Sequence, residues 1–91
     1  MSDAYRTLDF TDAFLDDLRE SRFSPDERKQ LFKALRLLDD NEKHPSLRVH
    51  KLEGDREGSW SASASKSLRL TFARLPGGRK RLLTFTRHYG E

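Results

Sequence analysis

GSWSASASKSLRLTFA, residues 58–73, carries two runs of alternating side chains in succession. Trp60, Ala62 and Ala64 alternate with Ser61, Ser63 and Ser65; Leu68, Leu70 and Phe72 alternate with Arg69, Thr71 and Ala73. A period of two marks a strand with one buried face, so this stretch predicts two strands. The same period extends to both sides. Upstream, Leu47, Val49 and Lys51 alternate with Arg48, His50 and Leu52, and Gly54–Gly58 supplies a turn. Downstream, Pro76-Gly77-Gly78 is a strong hairpin connection, and Leu83 and Phe85 then alternate with Thr84, Thr86 and His88. Connections this short imply antiparallel pairing.

Before Pro45 the period is 3.6 instead. Ser24, Pro25 and Glu27 form an S-x-x-E capping box with proline at the first helical position. Leu31, Ala34, Leu35 and Leu38 then supply one apolar stripe, Asn41 ends the helix, and Pro45 prevents its resumption. A shorter helix begins at Thr11, whose hydroxyl can cap it, with Asp12 at the positive end of its dipole and Phe14, Leu15 and Leu18 as its stripe. Ser21–Ser24 is the turn between the helices, and residues 4–9 alternate well enough for a first strand. The order strand, helix, helix, four strands gives an α+β domain, with a two-helix hairpin on one face of a small, mostly antiparallel sheet. Nothing divides residues 1–91, so one domain is expected.

Composition narrows the function classes. The chain is 34% hydrophobic and 36% charged, with regularly spaced Leu and Phe that a disordered tail would lack. It has no cysteine, which excludes disulfides and thiolate zinc sites. No apolar run approaches the ~20 residues of a membrane helix, and MSDAYRTLDF has no secretory pattern. A cytoplasmic protein with no membrane partner is the expectation. Residues 1–43 carry 8 Lys/Arg against 11 Asp/Glu, whereas residues 44–91 carry 10 against 4. The sheet half is therefore the candidate surface for a polyanion, although a solvated basic sheet has the same charge.

If the Leu, Phe and Trp positions face the helices, the opposite side carries His50, Ser61, Ser63, Arg69, Thr71, Thr84, Thr86 and His88. Cleavage of RNA by side chains alone needs a base for the 2′-hydroxyl, cations for the phosphorane and an acid for the leaving 5′-oxygen. Histidine suits both proton roles because its ordinary pKa of about 6.5 lies near working pH. Arginine suits the phosphate because its planar fork bonds two oxygens at once. His50, Arg69 and His88 are thus the candidate catalytic residues. Lys51, Ser61, Ser63, Arg87 and Tyr89 are candidate RNA contacts, Tyr89 by stacking on a base. Each has a plain alternative: a surface histidine, a solvent-facing arginine, a tyrosine closing the core. Arg79-Lys80-Arg81 could contact phosphate or merely solubilise a loop tip. The sequence has no Walker loop, no G-x-G-x-x-G and no H-E-x-x-H. His44, His50 and His88 show no metal-ligand spacing, so no metal and no cofactor are expected.

His50-Lys51-Leu52-Glu53-Gly54, Gly58-Ser59-Trp60-Ser61, Leu68-Arg69-Leu70-Thr71-Phe72 and Thr86-Arg87-His88-Tyr89 resemble the RelE/ParE toxin superfamily. The resemblance covers nearly the whole chain, through short, degenerate motifs. It implies the toxin of a type II toxin–antitoxin pair, a ribosome-dependent mRNA endonuclease that inhibits translation and is held inactive by a cognate antitoxin protein. It also implies roles. His50 resembles a catalytic histidine of the YafQ-like branch, Arg69 the arginine at the scissile phosphate, and His88-Tyr89 the terminal pair of the YoeB-like branch. Two departures stand beside this. Ser61 and Ser63 occupy positions where the RelE branch has lysines, and Ser46 corresponds to the glutamate base of the YoeB-like branch. Two other functions stay open: a ParE-like inhibitor of DNA gyrase, and a non-catalytic relative that binds only its antitoxin or operator DNA.

Overall fold

The structure is a computed structural model, and it describes residues 5–19, 23–53 and 58–87. Strand β1 (Leu8–Phe10) leads into helix α1 (Asp12–Arg19) and helix α2 (Pro25–Asp40). A 3-10 turn (Pro45–Leu47) precedes β2 (His50–Lys51), β3 (Ser59–Ser63), β4 (Leu68–Arg74) and β5 (Lys80–Arg87). The five strands form one sheet in the order β1-β5-β4-β3-β2. β1 runs parallel to β5 and every other pairing is antiparallel. This is the expected α+β arrangement.

Local chemistry explains the helices. Thr11 Oγ1 accepts the Phe14 N–H (3.1 Å) and donates to the Leu82 carbonyl (2.9 Å), so one hydroxyl caps α1 and ties it to β5. At α2 the capping box closes in both directions: Glu27 N–H to Ser24 Oγ at 3.1 Å and Ser24 N–H to Glu27 Oε1 at 2.8 Å. Asn41 ends α2 through its N–H to the Leu37 carbonyl. The stripe of Leu31, Ala34, Leu35 and Leu38 is buried. It meets Leu68, Leu70 and Phe72 of β4, Leu82 and Phe85 of β5, Ala62 of β3, and Phe14 and Phe23 in one core. Each such Leu or Phe contributes on the order of 1.5–3 kcal/mol by leaving water.

Three expectations are corrected. The first strand is Leu8–Phe10 instead of residues 4–9. Its entry is fixed by Asp39 of α2, whose Oδ1 accepts the N–H (2.7 Å) and hydroxyl (2.6 Å) of Thr7. The alternation from Leu47 does not make a long strand. Leu47 closes the 3-10 turn as a core residue, Arg48 turns left-handed, and only His50 and Lys51 pair. On β5 the buried apolar positions are Leu82 and Phe85, not Leu83 and Phe85. Thr71 lies opposite Thr84 but Phe72 lies opposite Leu82, so Leu83 is the extra residue of a bulge. A bulge reverses side-chain parity, which lets positions 82 and 85 share a face. The backbone past Leu82 runs beyond the end of β1, and Asp17 of α1 accepts the Phe85 N–H there (3.0 Å).

Candidate functional site

Register settles which side chains share the face opposite the core. His50 pairs with Ser61, Ser61 with Thr71, and Thr71 with Thr84, forming one row across four strands. The next row is Ser63, Arg69 and Thr86. Cross-strand partners point to the same side, so His50, Ser61, Ser63, Arg69, Thr71, Thr84 and Thr86 stand together, away from Ala62, Leu70 and Phe85. The bulge lies N-terminal to Thr84 and leaves this set intact.

Lys51 and Arg87 are not brought to that face. Lys51 pairs with Trp60, on the core-facing side, and its Nζ lies 5.8 Å from the Trp60 ring centroid. Arg87 pairs with Leu68; its Nε and Nη2 reach the Glu27 carboxylate at 3.0 and 2.8 Å, and its guanidinium lies 5.0 Å from the Phe23 ring. Held first by the Arg87 hydrogen bond and then by the Ser24 N–H, the Glu27 carboxyl titrates below the usual carboxylate range. Arg87 therefore joins β5 to the start of α2. His88 and Tyr89 lie outside the described residues.

The face is graded in exposure. His50 is exposed, Ser63 and Arg69 are half-buried, and Ser61 (1% exposed) and Thr71 (5%) lie at its floor. Thr71 and Thr84 satisfy each other, Oγ1 to Oγ1, at 2.5 Å. Ser61 Oγ and Arg69 Nε are buried and have no hydrogen-bond partner among the described residues. A buried polar atom left unpaired costs roughly 1–3 kcal/mol. The two residues are diagonal neighbours on one face.

His50, Ser63 and Arg69 line one side of a cleft of about 870 Å³. Its other walls are Gln30, Lys33 and Leu37 of α2, the turn Pro45–Arg48, and Ala64, Ser65 and Lys66 between β3 and β4. Lys33, Arg48, Lys66 and Arg69 bring four full positive charges to it, and among the described residues no Asp or Glu lines it. Sequence reasoning missed Lys33 and Lys66. They belong to an exposed helix face and a loop, and only tertiary placement turns them toward His50.

The chemistry of His50 is set locally. Its Nδ1 lies 2.8 Å from the Arg48 carbonyl oxygen. A carbonyl only accepts, so Nδ1 carries the proton and the neutral ring presents Nε2 as its basic nitrogen. His44 is arranged oppositely: its Nδ1 accepts the Ser46 N–H (3.2 Å) and faces the Ser46 hydroxyl (2.9 Å), capping the 3-10 turn. Among the described residues no group of three or more His, Asp or Glu side chains is placed to hold a metal ion. No described helix is long and apolar enough to cross a membrane.

No protein-family model matches the sequence, and no curated protein matches it. Solved structures do match. YafQ from E. coli strain BL21(DE3) superposes with a TM-score of 0.74 at 17% identity, covering 93% of this chain and 99% of that one. The YoeB/ParE toxin from Agrobacterium tumefaciens gives 0.71 at 18% identity, covering 92% and 100%. YafQ in the E. coli DinJ–YafQ toxin–antitoxin complex gives 0.71 at 18%, covering 93% and 98%. Both chains are spanned almost end to end in each case, so the chain has the fold of the YafQ and YoeB toxins.

Proposed function

We propose that this protein is the toxin of a type II toxin–antitoxin pair and cleaves mRNA on the ribosome in the cytoplasm. The observation that carries this reading is the register-defined grouping of His50 and Arg69 at a cationic cleft that no described carboxylate lines. A polyanion is the ligand such a cleft favours. An imidazole with Nε2 bare is a base at neutral pH.

In this reading His50 Nε2 takes the proton of a ribose 2′-hydroxyl. The 2′-oxygen attacks the adjacent phosphorus, and the bond from phosphorus to the 5′-oxygen breaks. The products are a 2′,3′-cyclic phosphate and a 5′-hydroxyl. Arg69 stabilises the charge of the phosphorane through its guanidinium, with Ser63 beside it in the cleft lining and Ser61 beneath. His88 is assigned the acid that protonates the leaving oxygen, and Tyr89 a stacking contact; both assignments rest on sequence alone. Lys33, Arg48 and Lys66 carry the strand through the cleft, and Lys51 and Arg87 play no direct part.

The fold supports the partner as well. YafQ is known in a complex with DinJ, and a YoeB–YefM complex is known from Staphylococcus aureus. A cognate antitoxin that covers the cleft is the matching expectation here.

Ribosome-programmed mRNA cleavage by purified protein, beside DNA gyrase supercoiling in the same preparation, tests the reading. Cleavage lost in His50→Ala, with gyrase unaffected, supports it. Gyrase inhibition without cleavage overturns it in favour of a ParE-like poison.

A further inference from the structure

Arg48 is the one described residue other than glycine with a positive φ (48°, ψ 46°). A side chain with a Cβ is disfavoured there, and glycine or asparagine is the usual occupant of such a helix stop. Locally, the conformation ends the 3-10 turn, with the Arg48 N–H bonding the Pro45 carbonyl at 3.3 Å. It has a second consequence. In an extended strand a carbonyl lies in the plane of the sheet and cannot reach a side chain standing on its face. Because Arg48 turns left-handed just before β2, its carbonyl leaves that plane and meets His50 Nδ1 at 2.8 Å.

We propose that Arg48 is a positioning residue: its left-handed backbone aims a carbonyl that fixes the His50 tautomer and leaves Nε2 as the basic nitrogen in the cleft. The guanidinium adds charge to the same cleft, but the positioning belongs to the backbone. The catalytic consequence rests on the proposed role of His50 as base; the tautomer itself does not. Outer partners that lock an imidazole's tautomer are a recurrent requirement wherever one ring nitrogen must stay free.

The experiment uses the full chain as the parent and as Arg48→Gly and Arg48→Val. Glycine adopts positive φ freely, whereas a β-branched residue resists it. Long-range ¹H–¹⁵N correlation spectra of the His50 ring give the tautomer, and far-UV circular dichroism checks folding. Nδ1–H is expected in the parent and in Arg48→Gly. In Arg48→Val the ring is expected to shift toward Nε2–H. In ribosome-programmed cleavage, both variants raise KM through the lost charge, and Arg48→Val also shows kcat about tenfold or more below Arg48→Gly. A parent ring with bare Nδ1 overturns the proposal, whether or not Arg48→Val folds. So does an Arg48→Val protein with the parent's tautomer and the kcat of Arg48→Gly. A parent that cleaves no mRNA overturns the nuclease reading, and the tautomer difference between the two variants still decides the positioning.

Discussion

Two sets of cations on this small chain meet different fates. Around β1 and the far ends of β4 and β5, the positive charges are matched by carboxylates. Arg74 grips Glu42 through both guanidinium nitrogens (3.2 and 2.7 Å), and buried Lys80 reaches the same carboxylate at 3.4 Å. Arg79 binds Asp9, and at the other end of β5 Arg87 is matched in the same way by Glu27. At the cleft, Lys33, Arg48, Lys66 and Arg69 stand together with no ion pair among the described residues. The comparison teaches that a count of basic residues does not locate a polyanion site. What locates it is where carboxylates are missing. By that measure Arg79 and Lys80 of the basic run beside the hairpin are structural, and Lys33, Arg48, Lys66 and Arg69 are the cleft cations left for a ligand.

Removing the base of the proposed site should separate the two regions most sharply. His50→Ala is expected to lower mRNA cleavage on the order of 10²–10⁴-fold. Its melting temperature should stay near the parent's, because His50 is exposed. Single-turnover cleavage and thermal unfolding on the same preparation check both halves.

The core beneath the sheet responds the other way. Phe85→Ala removes a fully buried ring packed 4.5 Å from Phe23. A stability loss of about 3–5 kcal/mol is expected in urea unfolding. With a marginal reserve of roughly 5–15 kcal/mol for a natural domain, partial unfolding at room temperature is within that range.

Single cations sharpen the contrast further. Lys66→Ala should weaken RNA binding at all sequences and lower the slope of log K against log salt by about 0.7. Arg74→Ala should leave that slope unchanged and cost at most about 1 kcal/mol of stability, the range of exposed ion pairs. Equilibrium binding to a short RNA across a salt series reads the first effect, and urea unfolding the second. Equal slopes for the two variants would erase the distinction between the regions.

The smallest expected effect is on the acid limb of stability. The Glu42 carboxyl is held below its ordinary range, first by the Arg74 hydrogen bond and against the pull of burial. For Asp39, burial would raise the carboxyl, but the Thr7 hydroxyl and the Arg6 and Thr7 N–H groups outweigh it and the net shift is downward. A carboxyl depressed on folding stabilises the protein fully above its unfolded pKa of about 4, and that stability is lost as pH falls through the lower folded value. Melting temperature should therefore fall below about pH 4, and Asp39→Asn should fall less steeply there than the parent.

Much of this arrangement was legible in the chain, for identifiable reasons. The capping box and stripe of α2 and the alternation of β3 and β4 are local signals, and register turned them into a face carrying His50, Ser61, Ser63 and Arg69. What escaped depends on contacts between distant residues. Leu83 bulges where β1 ends beside β5, which no periodicity announces. Leu47 and Val49 mimic a strand, yet Leu47 is the buried stop of a 3-10 turn. Lys51 and Arg87 read as RNA contacts from charge alone, but Trp60 and Glu27 hold them on the other side. Lys33 enters the cleft only because α2 passes beside the turn at Pro45–Arg48.

Mapping cellular transcripts by primer extension after induction of the parent and of His50→Ala bears on the central claim most directly. Discrete new 5′ ends within translated reading frames are expected with the parent and none with the variant at equal protein level. Intact transcripts under a growth-arresting dose of the parent would contradict the claim, as would identical cuts from both proteins.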